Sequence, residues 1–285
     1  MTIPGHFGYS TAMIQGLRNR FLNLGRRLLP TPPDPVVLSD REWDRLRIRA
    51  PFIETLSPDD TETLRKRIGQ FLARKTFKGI GLDLRHWQCH LIAAYACLPI
   101  LHLGLNVYRD WRTILVYPDT FVPEQEWIDD SGVHHQAVVP QAGEAWERGP
   151  VILSWNDVAT DGAVIVHEMV HTLDAGNGEV NGFPPLPDEM SARDWSTSFN
   201  DAFASLCVAI EHGHEPVLDP YAATDPAEFL AVVCEYFFFA PAYLRETMPG
   251  VYRHLCDYFQ QEPHLRAAEI PSAMPVTTAD DGDQG

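Results

Sequence analysis

The sequence predicts an α+β fold, mostly helical, with a small mixed β-sheet beside one chemically distinctive helix. Three observations carry that expectation. Apolar residues repeat at helical spacing through most of the chain. Two short β-rich runs, TILVYPDTFV (113–122) and PVILSWNDV (150–158), stand in its middle, bounded by Pro, Gly and Asp. The run VIVHEMVHTLD (164–174) then places two histidines four residues apart in an apolar setting.

The elements follow in order. Residues 10–29 carry four arginines and no acid, with Leu17, Phe21, Leu24 and Leu28 at helical spacing. They are expected to form a surface helix with a basic face, the alternative being a transit or interfacial helix. PTPPDP (30–35) is a stiff linker. The expected domains are therefore 1–35, a basic helix and linker; 36–265, the catalytic-type domain; and 266–285, an acidic, disordered tail. Ser39 with Glu42 marks one helix start. Ser57 and Pro58 mark another, with acids early and basic residues late along SPDDTETLRKRIGQFLARK. Residues 83–98 make a largely buried helix that Pro99 ends or kinks. Asp129, Asp130, Ser131 and Gly132, between the two β-rich runs, indicate a hairpin turn or loop. Thr160 and Asp161 cap the histidine helix, which runs to about Leu173. AGNGEVNGFPPLP (175–187) is irregular, and helices are expected at about 192–212, 226–240 and 242–261.

Composition sets limits on function. A chain of 285 residues, 45% apolar and 21% charged, has the balance of an ordinary globular protein. Its formal charge of −17 argues against nucleic acid and against an anionic membrane surface as partners. The longest apolar run, Leu91 to Leu105, is too short to span a membrane and contains Pro99 and His102. No signal-peptide pattern is visible, and five scattered cysteines without a CxxC pair are expected to be buried free thiols, so the expected location is a reducing cytoplasm.

On a helix, His167 and His171 lie on one face, one turn apart, where two imidazoles can hold one metal ion. Glu168, beside the first, points next to the metal and can take a proton from water. This is the HExxH pattern of zincins, and the metal it implies is zinc. Chance alone produces the pattern in about a few such chains in a hundred, but Val164, Ile165, Val166, Met169 and Val170 give it the apolar setting a buried metal helix requires. Residues 172–182 contain no histidine, so the third ligand is not the later histidine of metzincins. Glu228 and Glu235 are the remaining candidates. They stand seven apart, on one face of an apolar segment where an unpaired charge is costly.

HEMVHTLD (167–174), GNGEVNGFPPLP (176–187) and YAATDPAEFLAVVCEYFF (221–238) together resemble the Mlc titration factor A family of zinc peptidases. FLARKTFKGI, IAAYACLPILHLGL, TILVYPDTF and GPVILSW match in the same order, so the resemblance runs from about Phe71 to Pro263. It implies a zincin-like (gluzincin) fold with a catalytic core similar to that of anthrax lethal factor. It implies one zinc ion held by His167, His171 and Glu228, with Glu168 as general base and Tyr221 as the tyrosine that stabilises the oxyanion. Glu235 matches an acidic position of the family and, with Asp174, is expected to support the ligands from outside; Cys234 replaces the family's usual small polar residue. The implied activity is zinc-dependent peptide hydrolysis of aminopeptidase type, and the implied partners are a peptide or protein substrate and a sugar-responsive transcriptional repressor.

Two readings compete with the peptidase: a regulator that sequesters a repressor around a structural zinc site, and a metal hydrolase acting on other substrates. An intact Glu168 favours catalysis, since a structural site needs no base. VILSW (151–155), just before the motif helix, is either the sheet edge on which an extended substrate lies or a plain core strand.

Overall fold

The computed structural model describes residues 33–119 and 149–266. The expected basic helix at 10–29, the turn around Asp129–Gly132 and the acidic tail from Ile270 lie outside the described residues.

Helix α1 (Asp40–Arg49) starts with a complete capping box. Ser39 Oγ accepts from the Glu42 backbone N–H at 3.3 Å, and the Glu42 carboxylate accepts from the Ser39 N–H at 2.8 Å. Helix α2 (Pro58–Arg74) begins with Pro58 behind Ser57, whose hydroxyl accepts from the Asp60 N–H. Strand β1 (Thr76–Gly79) follows; it is too short and too polar to stand out in the sequence. Helix α3 (His86–Cys97) is buried on every side from Leu91 onward, which is why its sequence lacks a polar stripe. Strands β2 (Thr113–Tyr117) and β3 (Val151–Ser154) complete the sheet. Then come α4 (Trp155–Thr160), α5 (Ala163–Asp174), α6 (Ala192–Glu211), α7 (Pro226–Phe239), α8 (Pro241–Thr247) and α9 (Pro249–Phe259).

The sheet corrects one expectation: among the described residues it is wholly parallel, not mixed, in the order β1–β2–β3. Thr76 pairs with Thr113 and Ile114 with Val151. The chain between β1 and β2 contains α3, and a crossover of that length returns the second strand in the same direction as the first. Central β2 is buried from Thr113 to Val116, as a strand covered on both faces must be. The two β-rich runs are also shorter than their composition implies. Ser154 ends β3 because its hydroxyl caps α4, accepting from the Asp157 N–H at 3.2 Å. The expected single helix over 242–261 is two helices. Pro249 has no N–H to continue α8 and is placed in the first turn of α9.

The core runs continuously from α1 through α9. Helix α5 starts against α3 at Gly162, where an added Cβ would fall 2.3 Å from the Tyr95 ring. Only glycine permits that approach. All five cysteines are free; Cys97 and Cys234 are buried, whereas Cys89, Cys207 and Cys256 are partly exposed. No described helix is long and apolar enough to cross a membrane.

Lys75 joins α2 to β1 and is 8% exposed. Its ammonium donates to the carbonyls of Tyr108 and Trp111 and lies 3.4 Å from the centre of the Trp111 ring. Burial pushes its pKa down to about 7, against an ordinary value of 10.5. The unfolded chain therefore binds more protons between those two values, and stability rises with pH across that window. Denaturant unfolding at pH 7 and pH 9 should show the wild-type chain gaining up to about 2 kcal/mol relative to Lys75→Met; a difference independent of pH would show that Lys75 stays charged in its aromatic cage.

Candidate metal centre

Helix α5 is built to carry polar groups on an apolar body. The expected Thr160–Asp161 cap is not formed as such: the N-cap is Gly162, Asp161 just before it accepts from the Ala163 N–H at 2.9 Å, and Thr160 donates to the Asn156 carbonyl in the preceding helix. Ile165, Val166, Met169 and Val170 are buried behind it. That anchoring leaves His167 and His171 facing α7, which packs along α5.

Helix α7 brings both acidic candidates to that face. Asp225 caps it, its carboxylate accepting from the backbone N–H groups of Ala227 (2.8 Å) and Glu228 (3.0 Å). With Pro226 in the first turn, Glu228 is fixed at the positive end of the helix, where its charge is favoured. Glu235 follows two turns later on the same face.

These groups converge on one imidazole. His167 Nε2 lies 3.0 Å from Glu228 Oε2, and His167 Nδ1 lies 2.6 Å from Glu235 Oε1. His171 Nε2 is 3.1 Å from His167 Nε2 and 3.5 Å from Glu228 Oε2. One ligating atom each from His167, His171 and Glu228 lies within 4.8 Å of the others. Two imidazole nitrogens and a carboxylate oxygen aimed at one point are a donor set for a divalent cation, and the nitrogen-rich composition fits zinc or a similar transition metal. Glu235 lies on the far nitrogen of His167, where a carboxylate fixes the ring of a ligating histidine. His171 Nδ1 is buried and has no partner among the described residues, so only one of the two imidazoles is held from behind.

The electrostatics follow from burial among these charges. Burial presses the His167 pKa down, but the hydrogen bond and charge of Glu235, then the charges of Glu168 and Glu228, leave it raised. His171 is lowered by burial and by its neighbour His167. Glu168 is raised by burial, partly offset by His167. Glu235 is likewise raised by burial against the pull of His167.

Tyr221 lies in a one-turn helix, Pro220–Ala223, whose cap Asp219 accepts from the Tyr221 N–H at 2.9 Å. Its ring centre is 6.1 Å from that of His167, and the residue is 52% exposed. Burial of part of the phenol, then the charge and hydrogen bond of Glu228, raise its pKa.

Asp174 is placed elsewhere than among the ligands. It ends α5, is fully buried, and accepts from the backbone N–H groups of Asn181 and Gly182, both at 2.7 Å. It thus folds the glycine-rich loop back on the helix. Gly182 has φ +79°, and an added Cβ would lie 2.4 Å from the Pro226 carbonyl oxygen. The loop is therefore wedged against the first turn of α7, two residues before Glu228. Sequence reading missed both Gly182 and Asp225 as positioning residues. Asp225 could have been found, because DPAE has the spacing of a capping box. Gly182 could not, since nothing local shows what its Cα abuts.

Residues 33–260 match the family model described as glucose-regulated metallo-peptidase M90. Mlc titration factor A of Klebsiella pneumoniae (strain 342) is 34% identical over 239 residues, covering 81% of this chain and 90% of the relative. The Serratia proteamaculans (strain 568) protein of the same name is 38% identical over 248 residues, covering 81% and 94%. That of Enterobacter sp. (strain 638) is 35% identical over 248 residues, covering 84% and 91%.

Two outcomes test the arrangement. Chelated protein given back a divalent metal at about a thousand times its Kd should gain about 4 kcal/mol of stability, and Glu228→Gln should abolish that gain in a thermal melt. Gly182→Ala should cost about 2 kcal/mol through backbone strain and the clash with Pro226; metal titration should show weaker retention, because Glu228 moves with the turn that shifts.

Proposed function

Because the chain belongs to the glucose-regulated metallo-peptidase M90 family, we propose that it hydrolyses peptide bonds with one zinc ion held by His167, His171 and Glu228. The convergence of His167 Nε2, His171 Nε2 and a Glu228 oxygen within 4.8 Å carries this reading. Bound there, the metal supplies a Lewis acid for the scissile carbonyl and for a water molecule.

The chain's own groups do the rest. Glu168, half-buried beside His167, is the base that accepts a proton from the attacking water and returns it to the leaving amine. The Tyr221 hydroxyl, within reach of Glu228, donates to the oxyanion that develops on the carbonyl. Glu235 holds the His167 ring in one tautomer, with Nδ1–H toward the carboxylate and Nε2 free to ligate. Asp174 acts on the site from a distance, through the loop that buttresses α7. A substrate in extended form has an edge to pair with: among the described residues β3 pairs on one side only, with β2.

The choice of zinc and of aminopeptidase-type cleavage rests on the resemblance of HEMVHTLD and YAATDPAEF to the family's motifs. The relatives' name, Mlc titration factor A, supports a second role in which the chain binds a transcriptional repressor. The position of Glu168 beside the ligands favours hydrolysis over a purely structural metal, because a structural site gains nothing from a base next to it.

In a peptide-library assay, Glu168→Gln should keep its metal and lose about 100-fold or more of the activity. Tyr221→Phe should lose about 100-fold in kcat at unchanged metal content. Glu235→Gln should weaken metal affinity by about 10- to 100-fold. Full activity in a Glu168→Gln protein that retains its metal would exclude this mechanism.

A further inference from the structure

A second cluster of basic and aromatic side chains, sharing no residue with the candidate metal centre, lies where α1 meets α3. Arg45 and Arg49, one turn apart on α1, and His86 and His90, one turn apart on α3, line one small cavity of about 60 Å³ together with Trp87 and Glu42. On a chain of net charge −17, four basic side chains around one cavity are a marked local exception.

The two guanidinium groups are uncommitted. Among the described residues neither Arg45 nor Arg49 forms an ion pair, although Arg47 on the same helix binds Glu54 through two hydrogen bonds. Arg49 makes a single 3.4 Å contact from Nη1 to the Arg45 carbonyl, and its buried Nε has no partner. It is nevertheless held in place, with its guanidinium carbon 4.7 Å from the centre of the Trp87 ring. Trp87 is braced in turn, edge-on, by Trp155 at 5.4 Å. The one acid in the cavity, Glu42, accepts from both the N–H and the hydroxyl of Ser39 through a single oxygen, and its charge also acts on His86 and His90. Arg49 is partly exposed, but its buried Nε is left without an acceptor unless a ligand supplies one.

We propose that this cavity is a binding site for a phosphate group, distinct from the metal centre. Donors approach from two helices, two guanidinium forks from α1 and two imidazoles from α3. A tetrahedral oxyanion offers enough oxygens to accept from both sides, whereas a planar carboxylate has only two. The cavity admits the phosphate group itself, so any larger part of a ligand extends into solvent past the exposed His86. The first turn of α3, which carries His86 and Trp87, adds the positive end of that helix. Trp87 lies against Arg49 on one side and Trp155 on the other, and Trp155 directly follows β3.

The test uses the full chain and inorganic phosphate. Tryptophan emission and the melting temperature are followed against phosphate, with sodium chloride matched in ionic strength and with acetate as a carboxylate control. The expected result is a saturable response to phosphate that neither control reproduces. Arg45→Gln and Arg49→Gln should each weaken it by about tenfold, while Glu228→Gln, with the metal centre broken, leaves it intact. Trp87→Phe should remove most of the emission change but keep the shift in melting temperature. A response equal to that of chloride, one unaltered by both arginine substitutions, one lost in Glu228→Gln, or one stronger for acetate would each overturn the assignment. Circular dichroism of the arginine variants confirms that they fold; should either fail to, Arg45→Lys, which keeps the charge but loses the fork, should still bind more weakly than wild type.

Discussion

The His167 imidazole is the point on which the rest of the centre depends. It belongs to α5, yet both of its nitrogens are engaged by α7: Nε2 faces Glu228 and Nδ1 faces Glu235. An imidazole held at both ends cannot rotate without losing a charged partner, and its 9% exposure makes that loss expensive. The two glutamates stand seven positions apart, about two helical turns, which is the distance needed for one helix to grip both sides of a ring on another. The relative position of α5 and α7 is thereby tied to the chemistry of one side chain.

That grip needs α7 to begin at a fixed place, and three groups outside the ligand set provide it. Asp225 binds the first N–H groups of α7, including that of Glu228. Asp174, at the end of α5, folds the following loop back through the N–H groups of Asn181 and Gly182. Gly182 then rests against Pro226 in a left-handed conformation that only glycine adopts freely there. The glycine-rich segment that leaves the histidine helix is thus a mechanical link. It connects the C-terminus of the helix with His167 and His171 to the N-terminus of the helix with Glu228.

Behind this pair the fold supplies rigidity. Helix α3 is buried from Leu91 to Cys97 and meets the start of α5 where Gly162 lets the Tyr95 ring approach. The parallel sheet places β3 and α4 immediately before α5, so β3 and the histidine helix are neighbours in sequence. The same packing leaves the cavity between α1 and α3, lined by Arg45, Arg49, His86 and His90, on a different surface.

The sequence by itself determined what is written in local chemistry. HExxH at helical spacing named His167, Glu168 and His171; Ser39, Ser57, Pro58 and Pro226 marked helix starts within a residue or two; and apolar periodicity located most helices. Each of these is a property of a few consecutive residues and of backbone geometry. Tertiary structure decided what depends on who meets whom. Glu228 and Glu235 were equal candidates by spacing, and only the packing of α7 on α5 put them on opposite nitrogens of one ring. The sheet's parallel sense came from the crossover through α3, and β1 exists because β2 lay there to pair with it. Asp174 looked like one more acid near a metal motif, but its carboxylate is consumed by two backbone N–H groups seven and eight residues ahead. Spacing along a chain fixes direction from one helix axis; it carries no information on which other helix that direction meets.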